Sequence, residues 1–193
     1  MRVAILTGSV RPERQSHKVA YYLKKQLQER NIETDLIDMR YNPLPIFGSE
    51  SYTDRQSDYE TTISNLSERL QNVDAIIIVS PEYHGSFSGV LKNALDYFWD
   101  EFSKKPIGVA AASSGKMGGI NASSQLQHVI LSLGAYPVPL KLLVPEIDGA
   151  LNEEYEPQNE RLRKSAQKFL DEFLWFTEAV NEKKREVNNV MIE

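Results

Sequence analysis

Ala75-Ile-Ile-Ile-Val79 runs straight into Ser80-Pro-Glu-Tyr-His-Gly-Ser-Phe-Ser-Gly-Val-Leu-Lys-Asn-Ala-Leu-Asp96. The first five residues form a short, continuous apolar run bounded by Asp74 and Pro81, the pattern of a central parallel strand covered on both faces. The chain then reads as a loop over residues 80 to 86 and a helix from Phe87 to Phe102. In an open α/β sheet, ligands sit outside the carboxyl ends of the strands, so this loop is placed where a ligand would bind. Pro81 fixes a bend and Gly85 leaves the backbone unhindered, which lets main-chain groups face a flat polar ring at close range.

Working outward from that segment, strand and helix signals alternate along the chain. Arg2 to Thr7 reads as a strand, Gly8 to Gln15 as a loop, and Ser16 to Arg30 as a helix with Val19, Ala20, Leu23 and Leu27 on one face. Glu33 to Met39 is a second strand, followed by a proline-containing extended connection that reaches toward Tyr59 and a helix over Tyr59 to Gln71. After the central segment come a strand at Ile107 to Ala112, a loop at Ser113 to Gly118 and a helix at Gly119 to Leu133. A final strand at Ala135 to Val144 contains Pro137 and Pro139, which suits a sheet edge. The last helix, about Glu156 to Lys183, carries Leu162, Ala166, Phe169, Leu170 and Phe173 on one stripe, leaving Arg185 to Glu193 as a frayed tail. Such alternation predicts a parallel sheet with helices on both faces and right-handed crossovers, within a single domain over residues 1 to 193. Periodicity alone leaves the strand order open.

Composition narrows the function classes. There are 22 basic and 27 acidic residues, a net charge of −5, and no long basic block, so nucleic acid is not an expected partner. No apolar stretch approaches the roughly 20 residues that span a bilayer, and the N-terminus lacks a signal-peptide cleavage pattern. A cytoplasmic protein without a membrane partner is expected. The absence of cysteine excludes disulfides, thiolate nucleophiles and cysteine-based metal sites. His17 and His128 stand alone on helices, so surface or packing roles are expected rather than metal binding.

Three loops at strand ends carry the candidate chemistry. Thr7-Gly-Ser-Val-Arg-Pro-Glu-Arg-Gln-Ser16 precedes a helix whose N-terminus offers free amides and a positive dipole end to a phosphate, with Ser9, Arg11, Gln15 and Ser16 as further donors. The alternative makes Ser16 a plain N-cap and leaves Arg11 and Arg14 as solvated charges. Ser113-Ser-Gly-Lys-Met-Gly-Gly119 places three glycines after an apolar strand and admits a planar ligand, or is simply a turn that starts the next helix. In the central loop, Glu82 lacks a second acid for glycosidase-type chemistry, so its plain role is a loop hydrogen bond. Tyr83 suits stacking on a ring or packing against a partner. Phe98, Trp99, Phe173, Trp175 and Phe176 read as core or subunit contacts. Neither a Walker A pattern nor a G-x-G-x-x-G fingerprint is present.

The central segment resembles the P-E-Y-N-x-S-x-P-G-x-L-K-N-A-x-D signature of the NADPH-dependent FMN reductase family. Pro81, Glu82, Tyr83, Gly85, Ser86, Gly89, Leu91, Lys92, Asn93, Ala94 and Asp96 match, whereas His84 replaces Asn and Ser88 replaces Pro. The first loop resembles the family's G-S-x-R-x-x-S phosphate loop with one extra residue before the final Ser. The third resembles its S-x-G-x-x-G-G segment. The resemblance covers roughly residues 2 to 140.

This likeness implies a flavodoxin-like, doubly wound five-stranded parallel sheet of order 2-1-3-4-5. It implies FMN as cofactor, NADPH or NADH as electron donor, and a small-molecule acceptor such as a quinone, an azo compound or free flavin. The implied cofactor-binding residues are Ser9, Arg11, Gln15, Ser16, Pro81, Glu82, Tyr83, His84, Gly85, Ser86, Ser113, Ser114, Gly115 and Gly118. No catalytic side chain and no metal are implied, since flavin carries the chemistry; His84 is a candidate modulator. A homodimer or homotetramer is the implied assembly. The alternatives are a flavodoxin-like electron carrier or FMN-binding regulatory module without reductase activity, and an interaction protein that has lost the cofactor.

Overall fold

The computed structural model describes residues 1–49 and 56–190; the far part of the long connection after the second strand and the last three residues lie outside them. Its elements are β1 (Arg2–Thr7), α1 (Ser16–Glu29), β2 (Glu33–Asp38), α2 (Gln56–Gln71), β3 (Ala75–Tyr83), β4 (Ser86–Phe87), α3 (Gly89–Tyr97), β5 (Pro106–Ala112), α4 (Ile120–Ser132), β6 (Tyr136–Val144), α5 (Ile147–Ala150) and α6 (Glu160–Val190). The main sheet has the order β2-β1-β3-β5-β6, all parallel, with the two-residue β4 paired antiparallel to β3. Leaving out β4, this is the 2-1-3-4-5 order of a flavodoxin-like sheet.

Side-chain alternation along the strands divides the core into two layers. Val3, Ile5, Ile77 and Val79 point toward α1 and α6, where Leu23, Leu27, Phe169 and Phe173 are fully buried. Ala4, Leu6, Ile76 and Ile78 point to the other face, covered by Leu66 and Leu70 of α2, Leu91 and Leu95 of α3, and Leu126 and Ile130 of α4. Strands apolar on both faces need helices on both faces, which is why the continuous apolar runs report a doubly wound sheet. Each fully buried Leu, Ile or Phe stabilises the fold by about 1.5–3 kcal/mol relative to exposure.

Several boundaries differ from the sequence expectation. β3 does not stop at Val79 but continues through Pro81 to Tyr83. Pro81 is tolerated because β1 ends opposite Val79, so at Pro81 β3 has a ladder partner on one side only, Ala112 of β5, before its last two residues turn to pair with β4. The segment expected as a loop is therefore a hairpin: β3, the turn at His84 and Gly85, and β4. Both turn residues have positive φ, 52° and 75°, as a two-residue primed turn requires. α3 starts at Gly89 and ends at Tyr97, shorter at both ends than expected. β6 pairs with β5 alone, and the register slips between Ile107 and Val109, so Pro137 and Pro139 fall on an edge beside an irregularity. The last helix continues to Val190 rather than fraying after Lys183. Phe98 and Phe173 are core residues, whereas Trp99 and Trp175 are exposed.

Candidate functional site

The carboxyl ends of β1, β3 and β5 open into a cleft of about 350 Å³, within the usual range for small-molecule sites. The first loop contributes Ser9, Arg11, Gln15 and Ser16 to its lining, the β3 end contributes Pro81, Glu82 and Tyr83, and the β5 end contributes Ser113 and Ser114. Nine of the residues named from sequence thus converge on one cavity.

The phosphate-loop end is built around the start of α1. Gln15 occupies the N-cap but its side chain makes no cap hydrogen bond, and the first turn holds no acidic residue. Ser16 is the first helical residue, buried and facing the cleft, rather than the plain N-cap of the alternative reading. Uncapped first-turn amides plus the Ser9 and Ser16 hydroxyls form a donor set suited to a phosphate. Arg11 lies over the Tyr83 ring at 5.9 Å from its centroid, and Ser9 Oγ sits 3.2 Å from Tyr83 Oη. Charge and ring therefore meet at the same mouth.

Arg14 corrects the reading of it as a solvated charge. Its guanidinium is buried, donates to the Ser9 carbonyl at 2.6 Å, and holds both carboxylate oxygens of Asp38 at 2.6 and 2.5 Å. Asp38 also accepts from the Arg40 backbone amide at 3.0 Å. Burial alone would push the Asp38 carboxyl up, but the hydrogen bonds from Arg14 and the Arg40 amide outweigh it and hold the group below the ordinary carboxylate range. This buried pair fixes the first loop to the end of β2. Sequence reading missed Asp38; the structure places it at the end of β2, in register with Thr7, the last residue before the loop.

Two further ties join the loops. Ser88, standing where the signature has Pro, caps α3 by accepting from the Leu91 amide at 3.3 Å and donates to the Gly8 carbonyl at 2.5 Å. Gly8 is obligatory there: a Cβ would lie 2.7 Å from Leu91 Cβ and 2.8 Å from Ser88 Oγ. Glu82 Oε2 accepts from the Asn121 and Ala122 amides at 3.0 and 3.1 Å, capping α4 from another part of the chain because Gly119, at its own N-cap, has no side chain to do so. Glu82 is thus a loop hydrogen-bonding residue and a cleft wall at once.

The remaining named residues fall outside the cleft lining. His84 is exposed at the tip of the hairpin, and its positive φ explains why His can replace Asn, since both are among the residues enriched in that conformation. Gly85 and Ser86 are held by α4, the Gly85 carbonyl accepting from Gln125 Nε2 at 2.8 Å and Ser86 Oγ donating to Gln125 Oε1 at 2.6 Å. Gly115 is exposed on the third loop, while Gly118 packs against the chain itself, where a Cβ would come within 3.0 Å of the Pro145 nitrogen. The glycines of that loop serve the packing of β5 and β6 as much as access to a ligand. The signature residue Asn93 accepts from the Phe47 amide at 2.9 Å and donates to the Pro45 carbonyl at 2.8 Å, pinning the extended connection across α3. His17 packs edge-on against the stacked rings of Tyr21 and Tyr155, and His128 is exposed.

Sequence reading missed Glu13, Arg14, Ile147 and Asp148 as cleft lining. Ile147 and Asp148 belong to α5, a single turn after β6 that carries no motif.

A family model described as NADPH-dependent FMN reductase matches residues 1–148. The chain is 30% identical over 182 residues to the FMN-dependent NADPH-azoreductase of Staphylococcus aureus (strain USA300), covering 91% of this chain and 95% of that protein. The corresponding azoreductase of Staphylococcus saprophyticus is 28% identical over the same length. Among solved structures, the flavoenzyme NAD(P)H:(acceptor) oxidoreductase FerB of Paracoccus denitrificans superposes with a TM-score of 0.79 at 26% identity, covering 92% of this chain and 97% of that one. A flavodoxin from the domain Archaea aligns at a TM-score of 0.61 and 11% identity, a likeness of fold alone.

Proposed function

Since the chain belongs to the NADPH-dependent FMN reductase family, we propose that it is an FMN-dependent NAD(P)H oxidoreductase whose electrons pass to a small quinone, azo compound or free flavin. The observation that carries this reading is the convergence of an uncapped helix start, Ser9, Arg11 and Ser16 with Pro81, Tyr83 and Ser113 in one cleft. FMN, when bound, supplies the hydride-accepting and electron-donating chemistry.

The chain's own residues do the rest. The α1 amides and the Ser9 and Ser16 hydroxyls hold the phosphate by directed hydrogen bonds, and Arg11 adds charge at the cleft mouth. Pro81, Tyr83 and Ser113 bound the space for the ring. Gln15 and Ser114 line the cleft beside them, and Gly115, Gly118, His84, Gly85 and Ser86 shape the loops behind it. Glu82 is engaged by two α4 amides and acts as an anchor, so no side chain is needed as acid, base or nucleophile. The assembly is a homodimer or homotetramer; the exposed Ile46 and Phe47 beside α3 support this.

The test is an absorbance spectrum of the purified protein reconstituted with FMN, taken before and after anaerobic NADPH addition. Bound flavin that bleaches quickly is the expected result. Flavin that stays oxidised would make the protein an electron carrier or regulatory module. Arg11→Ala should weaken FMN retention with the fold intact; unchanged affinity would remove Arg11 from the site.

A further inference from the structure

The stripe by which α6 packs on the sheet continues past the strands. Phe169, Phe173 and Thr177 are fully buried on it, and Val180, Lys184 and Val187 extend it at helical spacing. With Lys183, these last residues face the chain before β5 and the first residue of β6, lining a hollow of about 650 Å³ whose other walls are Ser103, Lys104 and Tyr136. The Lys104 amide donates to the Gly134 carbonyl and the Tyr136 amide to the Lys105 carbonyl, both at 2.8 Å, so those walls are fixed to each other. The hollow lies at the amino edge of the sheet, and the seven residues of β5 separate it by about 20 Å from the cleft wall at Ala112.

The chemistry of this hollow is one-sided. Three lysines and no carboxylate line it, a formal charge of +3 in a chain whose net charge is −5. Lys183 shares its charge with Glu186 at 2.7 Å, but among the described residues the Lys104 and Lys184 ammonium groups have neither a hydrogen bond nor an ion pair. The carboxylates that act on this corner of the molecule are engaged elsewhere: Asp74 accepts from the Arg2 amide at 2.7 Å, and Glu101 from Ser67 Oγ at 2.5 Å. Burial pushes the Lys184 ammonium below the usual lysine range; the pull of Asp74 opposes this and the Lys104 charge adds to it. Like charges gathered on a half-buried wall repel one another, and an anion between them removes that cost. Beside them Tyr136 and Val187, 40% and 47% exposed, leave apolar surface open next to Val180. From Val180 to Val187 the helix advances about 10 Å, the length of a two-ring aromatic body.

We propose that this hollow is a second ligand site, for an aromatic carboxylate or sulfonate of two rings, with the charged head between Lys104 and Lys184 and the rings against Tyr136, Val180 and Val187. A bare anion would leave the apolar wall in water, and a neutral ring would leave the two ammonium groups repelling each other, so the site needs both parts of the ligand. Because α6 also packs on the sheet through Phe169 and Phe173, a ligand here ties its last turns to the start of β5 and stabilises the folded chain by mass action. The inference stands apart from the reductase reading, since the hollow shares no residue with the cleft.

The experiment titrates the protein, its cleft saturated with FMN, with 2-naphthoate and 2-naphthalenesulfonate by calorimetry. Acetate serves as the anion without rings and 2-naphthylmethanol as the rings without charge. Wild type should bind both aromatic anions at one site, less tightly as salt rises, and should bind acetate and 2-naphthylmethanol roughly tenfold more weakly or worse. The variants are Lys104→Asn, whose φ of 57° Asn tolerates, Lys184→Gln, and the two combined. Loss of the charged contacts should weaken both aromatic anions roughly tenfold in the double variant. Without ligand its thermal midpoint and FMN affinity should match wild type, whereas the rise in midpoint that 2-naphthoate gives wild type should be absent. An unchanged naphthoate affinity in the double variant, or no saturable binding by wild type, would overturn the proposal. Binding of wild type to phosphatidylglycerol vesicles through the same lysines, without saturable naphthoate binding, would overturn it in favour of a lipid contact. Failure of the chain to take up FMN would bear on the reductase reading alone, since the same comparison of wild type and double variant then runs without it.

Discussion

Replacing Asp38 by Asn tests whether the buried pair with Arg14 holds the first loop. Asp38→Asn keeps the shape but leaves the Arg14 guanidinium buried without its counter-charge, with one neutral oxygen where two anionic ones accepted at 2.6 and 2.5 Å. Breaking such a pair from one side costs about 3–5 kcal/mol, and the retained oxygen places this change near the lower end. With a urea slope of about 2 kcal/mol/M for a chain of this size, the unfolding midpoint should fall by about 1.5 M. The double variant Arg14→Met/Asp38→Leu removes both charges together and should lie within about 1 kcal/mol of wild type, because buried pairs roughly break even against apolar replacements. FMN affinity should fall in both variants, since the Ser9 carbonyl loses its donor in the double variant and a correctly placed one in Asp38→Asn. The pair also predicts a pH effect. Because the folded Asp38 carboxyl is held below its unfolded value of about 3.9, its contribution is complete above that pH and is lost as pH falls through the folded value, so in acid wild type should lose stability relative to the double variant, which has no such group to protonate. Urea and calorimetric unfolding measure these quantities. An Asp38→Asn cost below about 1 kcal/mol, or a double variant as unstable as the sum of its single changes, would refute the account.

Two other outcomes rest on particular positions. At His84, φ of 52° makes the turn the constraint: His84→Asn should leave the thermal midpoint unchanged, whereas His84→Val should cost about 1–2 kcal/mol, measured by thermal denaturation. Lys105 donates to the Leu70 and Gln71 carbonyls at the end of α2, and burial lowers its pKa to about 8, the nearby Lys184 charge adding to the effect. The unfolded chain therefore binds one proton more between about pH 8 and the ordinary lysine value near 10.4, so wild-type stability should rise with pH across that window. Lys105→Met should abolish that rise, read as the urea midpoint at pH 7.5 and 9.5.

The layers of the fold were readable because burial on both faces leaves a plain mark. Ala75 to Val79 could only be a covered strand, and the spacing of Val19, Ala20, Leu23 and Leu27 could only serve one helix face. Contacts whose partners are distant in sequence escaped reading. Pro81 looks like a strand terminator because the end of β1 opposite Val79 is invisible from residue 81. Arg14 looks like a surface charge because its partner lies 24 residues away on the neighbouring strand. Glu82 and Ser88 are visible as motif positions, but their partners, the α4 amides and the Gly8 carbonyl, appear only once the loops are brought together. His84 reads as a side-chain contact to the ligand, although the feature that selects it is backbone conformation.

Those same bonds have a consequence for how the molecule can vary. With Ser88 tied to Gly8, Glu82 to α4 and Arg14 to Asp38, the three loops are already in place before a ligand arrives, so little ordering entropy is spent on binding the ring. A preorganised cradle also resists piecemeal change, because altering one loop disturbs its neighbours. Variation is therefore easiest at exposed positions the ties leave alone, such as Met117, where sequence can drift while the cradle keeps its shape.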